Sequence, residues 1–155
     1  MANQSLNSHV SIFLITYYIR MISLTENLLN QIIEHSKKEY PHEACGILAG
    51  REGRIEKVYQ MRNVSEAPVT CYFMEPTEQL KVFKEIRELG MEMLAIYHSH
   101  INVPAHPSGK DLELAFYPEV SYLIVSLINR EVSQVKSFRI EEGKISEDEL
   151  KIIRE

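Results

Sequence analysis

The amino-acid sequence predicts a single α/β domain with a mixed, largely antiparallel sheet flanked by helices. Three observations carry that expectation. Apolar runs of strand length recur along the chain, stretches of helical period lie between them, and Glu-Gly dipeptides join two pairs of runs. No internal repeat, low-complexity tract or linker interrupts the 155 residues, a length that suits one domain with a real core.

The elements follow in order. A first helix is expected over residues 24–38, where Leu28, Leu29, Ile32 and Ile33 share a face and Ser23 or Thr25 caps the start. Strands over 45–51 and 54–62 meet at Glu52-Gly53 as a hairpin, and a short strand covers 72–74. Residues 77–89 read as a second helix with Thr77 as N-cap. Leu80, Phe83, Ile86 and Leu89 form its apolar stripe, Gly90 stops it, and Lys81, Lys84, Glu85, Arg87 and Glu88 form a solvated face. The run 93–97 is a buried strand. Pro118 breaks the chain before a core strand over 122–127. Strands over 135–141 and 144–146 pair across Glu142-Gly143, and Leu150, Ile152 and Ile153 suggest a terminal helical turn.

Composition narrows the function classes. A net charge of −5 gives no electrostatic footprint for nucleic acid, so a nucleic-acid partner is not expected. Cys45 and Cys71 form neither a disulfide-dense pattern nor a Cys-x-x-Cys knuckle, so free buried thiols in the cytoplasm are expected. Cys45 lies near His42, but a thiol inside an apolar strand reads as a small hydrophobe rather than a nucleophile. The apolar residues 11–20 are too few to span a bilayer and lack the flanks of a signal peptide. Residues 1–20 are therefore set apart as an N-terminal extension, with 21–155 as the domain. Three readings of the extension stay open: Met21 as the functional start, an extra strand, or a homodimer contact.

The chemistry concentrates after the strand over 93–97. His98-Ser99-His100 is followed by seven residues, then Ser108, two residues and Asp111. Period-two alternation turns both imidazoles to one face of the strand and Ser99 to the other. The proline-rich, aperiodic 101–107 segment reads as a loop that turns the chain back toward those rings. Two imidazoles and a carboxylate have the hardness zinc takes, and three protein ligands leave a fourth tetrahedral position for water. A plainer reading makes Ser108 a helix N-cap and Asp111 a first-turn carboxylate ahead of residues 112–116. Glu43, in turn, reads by itself as a solvated charge, although the apolar run 44–49 directly after it holds its backbone beside the sheet.

Glu43, His98-Ser99-His100, Ser108 and Asp111 together resemble the signature of the JAMM (MPN+/JAB) metalloprotease domain, with all five functional positions filled. The segment 40–50 resembles that around the catalytic glutamate in small stand-alone prokaryotic members, and the likeness runs from about Met21 to the C-terminus. One departure is Ile101, where many bacterial relatives place proline. The resemblance implies a JAB/MPN-like, cytidine-deaminase-like fold. It also implies one Zn²⁺ per chain held by His98, His100 and Asp111, with Glu43 as general acid/base and Ser108 as a hydrogen-bond donor to the transition state. The implied substrate is a ubiquitin-like, β-grasp sulfur-carrier protein, cut after its C-terminal Gly-Gly to release cysteine or another amine. The chain between Asp111 and Tyr122 is too short for the long insertion with which eukaryotic relatives grip ubiquitin chains. Two rival readings are a general isopeptidase acting on modified lysines and a non-catalytic interaction module. Zinc nucleobase deamination is disfavoured because its His-x-Glu and Pro-Cys-x-x-Cys pattern is absent.

Overall fold

Alternating apolar side chains on a central run of strands give this domain two buried faces, each covered by one long helix. A computed structural model describes residues 21–155. The elements are β1 (Ile22–Thr25), α1 (Glu26–Glu39), β2 (Cys45–Arg51), β3 (Arg54–Met61), α2 (Pro76–Glu88), β4 (Glu92–Ile101), α3 (Gly109–Glu113), β5 (Ser121–Ile128), β6 (Glu131–Glu141), β7 (Lys144–Asp148) and β8 (Leu150–Ile153). The three readings of residues 1–20 fall outside the described residues.

The strands form one sheet in the order β7-β6-β5-β4-β2-β3-β1-β8. Pairings β2–β3, β2–β4, β5–β6 and β6–β7 are antiparallel, while β1–β3, β1–β8 and β4–β5 are parallel. The sheet is thus mixed with an antiparallel majority, as expected. The parallel β4–β5 pair matters most for the site, because parallel neighbours need a crossover rather than a hairpin. That crossover, residues 102–120, carries α3 back over the end of β4.

Along β4, Ile96 joins the core on the α2 side with Cys45, Ile47, Tyr72, Ile86 and Tyr122. Its neighbours Ala95 and Tyr97 join the opposite core under α1, with Leu24, Ile32, Leu48, Leu123 and Val125. Gly46 is required where β2 crosses the Tyr97 ring, since a Cβ there would stand 2.2 Å from Tyr97 Cε1 and 2.4 Å from the Tyr59 carbonyl oxygen. Among the described residues no helix is long and apolar enough to cross a membrane.

Several boundaries differ from the sequence reading. Leu24 lies in β1, fully buried, and α1 begins after Thr25, whose Oγ1 accepts the Leu28 N–H at 3.3 Å. The second helix is capped by Glu75 rather than Thr77, because the Glu75 carboxylate accepts the Glu78 N–H at 2.7 Å and Pro76 suits the first helical position. Residues 72–74 form no strand; Met74 makes an isolated bridge to Asn63. The expected terminal helical turn is instead β8, where pairing with β1 from Leu150 to Ile153 overrides local preference.

Candidate metal centre

His98 and His100 lie inside β4, on the face shared by Ile96, and are 1% and 3% exposed. Their Nε2 atoms are 3.1 Å apart. Asp111 Oδ2 comes within 3.3 Å of His98 Nε2 and 3.1 Å of His100 Nε2, closing a nearly equilateral triangle. Ligand atoms about 2.0–2.1 Å from a tetrahedral zinc ion lie about 3.3 Å from one another, so the triangle has the dimensions of such a ligand set. These three residues are the only such metal-ligating group among the described residues.

The hydrogen bonds around the triangle support a cation at its centre. His100 Nδ1 is 2.8 Å from the Pro104 carbonyl, which can only accept, so Nδ1 carries the proton. In neutral His100, Nε2 then presents a lone pair to Asp111 and to His98. Lone pairs converging at about 3 Å need a proton or a metal ion between them. Burial disfavours charge on His100, yet Asp111 and the Pro104 carbonyl outweigh it and raise its pKa above the ordinary imidazole value. Burial lowers His98 despite the Asp111 carboxylate. Asp111 itself is desolvated, but the His100 and His98 imidazoles in their protonated form, together with the Ser108 N–H, hold it well below the usual carboxylate range.

Ser108 and Asp111 reconcile the capping and ligand readings. Ser108 Oγ accepts the Asp111 N–H at 3.1 Å while Asp111 Oδ2 accepts the Ser108 N–H at 2.8 Å, a complete capping box. The cap fixes the carboxylate that faces the imidazoles. Because the Ser108 oxygen acts there as an acceptor, its own proton is available to donate. The preceding loop is pinned by Ser126 Oγ to the Val103 carbonyl at 2.6 Å and by the Ala105 N–H to Gln134 Oε1 at 3.2 Å. Ile101 takes the departing position as part of β4, paired with Leu127.

Glu43 precedes β2 and is 4% exposed, so the solvated-charge reading fails. Its Oε2 is buried with no hydrogen-bond partner among the described residues. Burial pushes its carboxyl up to about 8, with the His100 imidazole opposing that rise and the Asp111 carboxylate adding to it. A desolvated, unpartnered carboxyl beside the triangle is suited to taking up and giving back a proton. Cys45, by contrast, is fully buried and its thiol is pushed up to about 12 by burial and the surrounding carboxylates, which leaves no nucleophile at neutral pH. Cys71 is free like Cys45 but only partly buried, a correction to the expectation for both thiols.

Sequence reasoning overlooked the residues that bind these parts together. Ser99 Oγ accepts the Ala44 N–H at 2.8 Å, and the Ser99 N–H reaches the Ala44 carbonyl at 3.0 Å. The Glu43 N–H donates to the Pro68 carbonyl at 2.7 Å, and the Asn63 amide reaches the Glu43 carbonyl at 3.0 Å. Tyr72 stacks on the His98 ring with centroids 4.5 Å apart. Alternation placed Ser99 on the face away from the imidazoles without naming a partner for it, and no local signal marked Asn63 or Tyr72.

An α/β domain with a buried His–His–Asp triangle at the end of a central strand and a buried glutamate beside it has the architecture of a metal-dependent hydrolase. The chain belongs to the family of prokaryotic homologs of the JAB domain, which it matches over residues 25–141. It is 34% identical over 142 residues to the CysO-cysteine peptidase of Mycobacterium tuberculosis, covering 90% of this chain and 95% of that protein. It is 42% identical over 106 residues to the desampylase of Pyrococcus furiosus, covering 68% of this chain and 72% of the relative. The solution structure of protein DSY2949 from Desulfitobacterium hafniense superposes with a TM-score of 0.77 at 38% identity, covering 87% of this chain and 94% of that one.

Proposed function

We propose that the chain is a zinc-dependent peptidase that cuts after the C-terminal Gly-Gly of a ubiquitin-like sulfur-carrier protein, releasing cysteine or another amine. The observation that carries the reading is the triangle of His98, His100 and Asp111 with ligand atoms 3.1–3.3 Å apart, beside a buried Glu43. The extensive match to a CysO-cysteine peptidase supports the substrate class. His98, His100 and Asp111 are the residues proposed to hold one Zn²⁺ per chain, in a protein of the cytoplasm.

When bound there, zinc acidifies water toward a pKa of about 7 and polarises a carbonyl oxygen. Glu43 takes the proton from the attacking water and returns it to the departing amine, a shuttle worth about 10² to 10⁴ in rate. Its desolvated setting raises its proton affinity above that of an exposed carboxylate. Ser108 Oγ donates a hydrogen bond to the developing oxyanion. Two glycines carry no side chains to hold their carbonyl away from so buried a centre.

A second reading, removal of a ubiquitin-like modifier from protein lysines, is favoured by the match to a desampylase. Incubating the protein with a carrier–cysteine adduct and, separately, a carrier–lysine conjugate, with intact-mass readout, separates them. Faster release of cysteine is expected. Faster cleavage of the lysine conjugate selects the second reading, and two unchanged masses reject both.

A further inference from the structure

We propose that Asn63 is a positioning residue for this centre, its carboxamide joining the backbone of Glu43 to the segment whose aromatic ring orients His98. The inference rests on the functional reading above and deepens it.

Asn63 follows β3 by two residues and is partly buried. Its Nδ2 donates to the carbonyls of Glu43 at 3.0 Å and Cys71 at 3.1 Å. Its Oδ1 accepts the N–H groups of Ser65 and Phe73, each at 3.0 Å. All four hydrogen-bonding positions of the amide are used. The amide orientation is fixed by chemistry, because carbonyls only accept and backbone N–H groups only donate.

The two ends of this clamp reach different halves of the centre. At one end, the Glu43 carbonyl is held by Asn63, just past the end of β3, complementing the tie of Ala44 to Ser99 of β4. At the other, the Cys71 carbonyl and Phe73 N–H are gripped on either side of Tyr72. The Tyr72 ring is 7% exposed and stacks on His98 with planes 25° apart. His98 needs such a wall more than His100 does. His100 has its outer nitrogen anchored on Pro104, whereas His98 Nδ1 is buried with no hydrogen-bond partner among the described residues. An imidazole ligand is normally oriented by a bond at its outer nitrogen. For His98 the stacked ring, held in place through Asn63, supplies that restraint.

The test compares Asn63→Asp, Asn63→Ala and, as a control in the same loop, Ser65→Ala, whose Oγ accepts only the Ala67 N–H. Asn63→Asp keeps both acceptor bonds and sets a carboxylate oxygen against two carbonyls, so it removes the clamp with little change of volume. Zn²⁺ affinity by chelator competition and the visible spectrum of the Co²⁺-loaded protein read the centre without any substrate. Both Asn63 variants are expected to weaken Zn²⁺ binding by about tenfold or more, the range for lost outer support, and to alter the Co²⁺ spectrum. With the carrier–cysteine adduct, kcat is expected to fall while KM stays near that of the parent, and Ser65→Ala is expected to change none of these. Parental Zn²⁺ affinity and Co²⁺ spectrum in Asn63→Asp, or an equal loss in Ser65→Ala, would overturn the assignment. If Asn63→Ala does not fold, the isosteric variant still decides. A parent that binds zinc yet leaves the adduct intact counts against the substrate reading, while the metal measurements still judge Asn63.

Discussion

Ser99 Oγ accepts the backbone N–H of Ala44 at 2.8 Å, so the residue between the two imidazoles is tied to the residue after Glu43. Together with the bond from the Ser99 N–H to the Ala44 carbonyl, this contact fixes the glutamate's neighbour against the strand that carries both histidines. Ser99→Ala leaves the buried Ala44 N–H unsatisfied, which costs about 1–3 kcal/mol. The expected result is a lower urea midpoint together with a fall in kcat, with zinc content unchanged. Retained kcat in a destabilised variant would reduce Ser99 to a purely structural role.

Glu43→Gln keeps the shape of the side chain and removes its basicity. It is expected to bind zinc like the parent and to lose about 10² to 10⁴ in kcat. Metal analysis alongside steady-state rates checks both halves. A fully active Gln variant removes Glu43 from the proton path.

Ser108 serves two purposes that one substitution separates by magnitude. Ser108→Ala deletes the cap accepting the Asp111 N–H, worth about 0.5–2 kcal/mol of stability. It also deletes the proposed oxyanion donor, worth about 10² to 10³ in kcat. Ser108→Asp, a good cap whose ionised carboxylate only accepts, is expected to recover thermal stability but not rate. Equal recovery of both would show that the serine acts only by fixing Asp111.

Acid stability depends on His35, which is 5% exposed with Nδ1 2.8 Å from the Tyr97 hydroxyl. Burial lowers its pKa from 6.5, with Glu39 opposing and Lys38 assisting. Below that value the unfolded chain holds a proton on this side chain that the folded chain does not. Unfolding therefore takes up a proton, and stability falls as the pH drops. Urea midpoints at about pH 7.5 and about pH 5.5 are expected to differ more in the parent than in His35→Gln, since any contribution from the other histidines is common to both proteins. Equal differences would exclude His35 from acid sensitivity.

The Tyr97 ring leaves no room above Gly46, where an added Cβ would lie 2.2 Å from Cε1. Gly46→Ala is expected to cost about 1–3 kcal/mol through overpacking, read as a lower denaturant midpoint with an unchanged slope. An unaltered midpoint would mean that β2 and β4 can part without penalty.

The sequence made most of the centre legible because its information is local. His-x-His on a strand needs only period-two alternation, and Ser108 with Asp111 needs only capping geometry, so the side chains of the triangle and its cap could be read from short spacings. The hairpin at Glu52-Gly53 was legible for the same reason. Residues whose roles depend on distant partners were not. Asn63 reaches Glu43 across 20 residues and Ser99 meets Ala44 across 55, separations that no propensity encodes. The C-terminal stretch was misread because four residues of ambiguous period follow whichever partner they meet, and here that partner is β1.

Zinc stoichiometry in the purified protein, compared with that of Asp111→Ala, is the most direct test of the proposed centre. One equivalent per chain in the parent, lost in a variant that remains folded, is the expected result. A folded parent that takes up no zinc, or an Asp111→Ala variant that binds it equally well, would contradict the assignment of His98, His100 and Asp111 as its ligands.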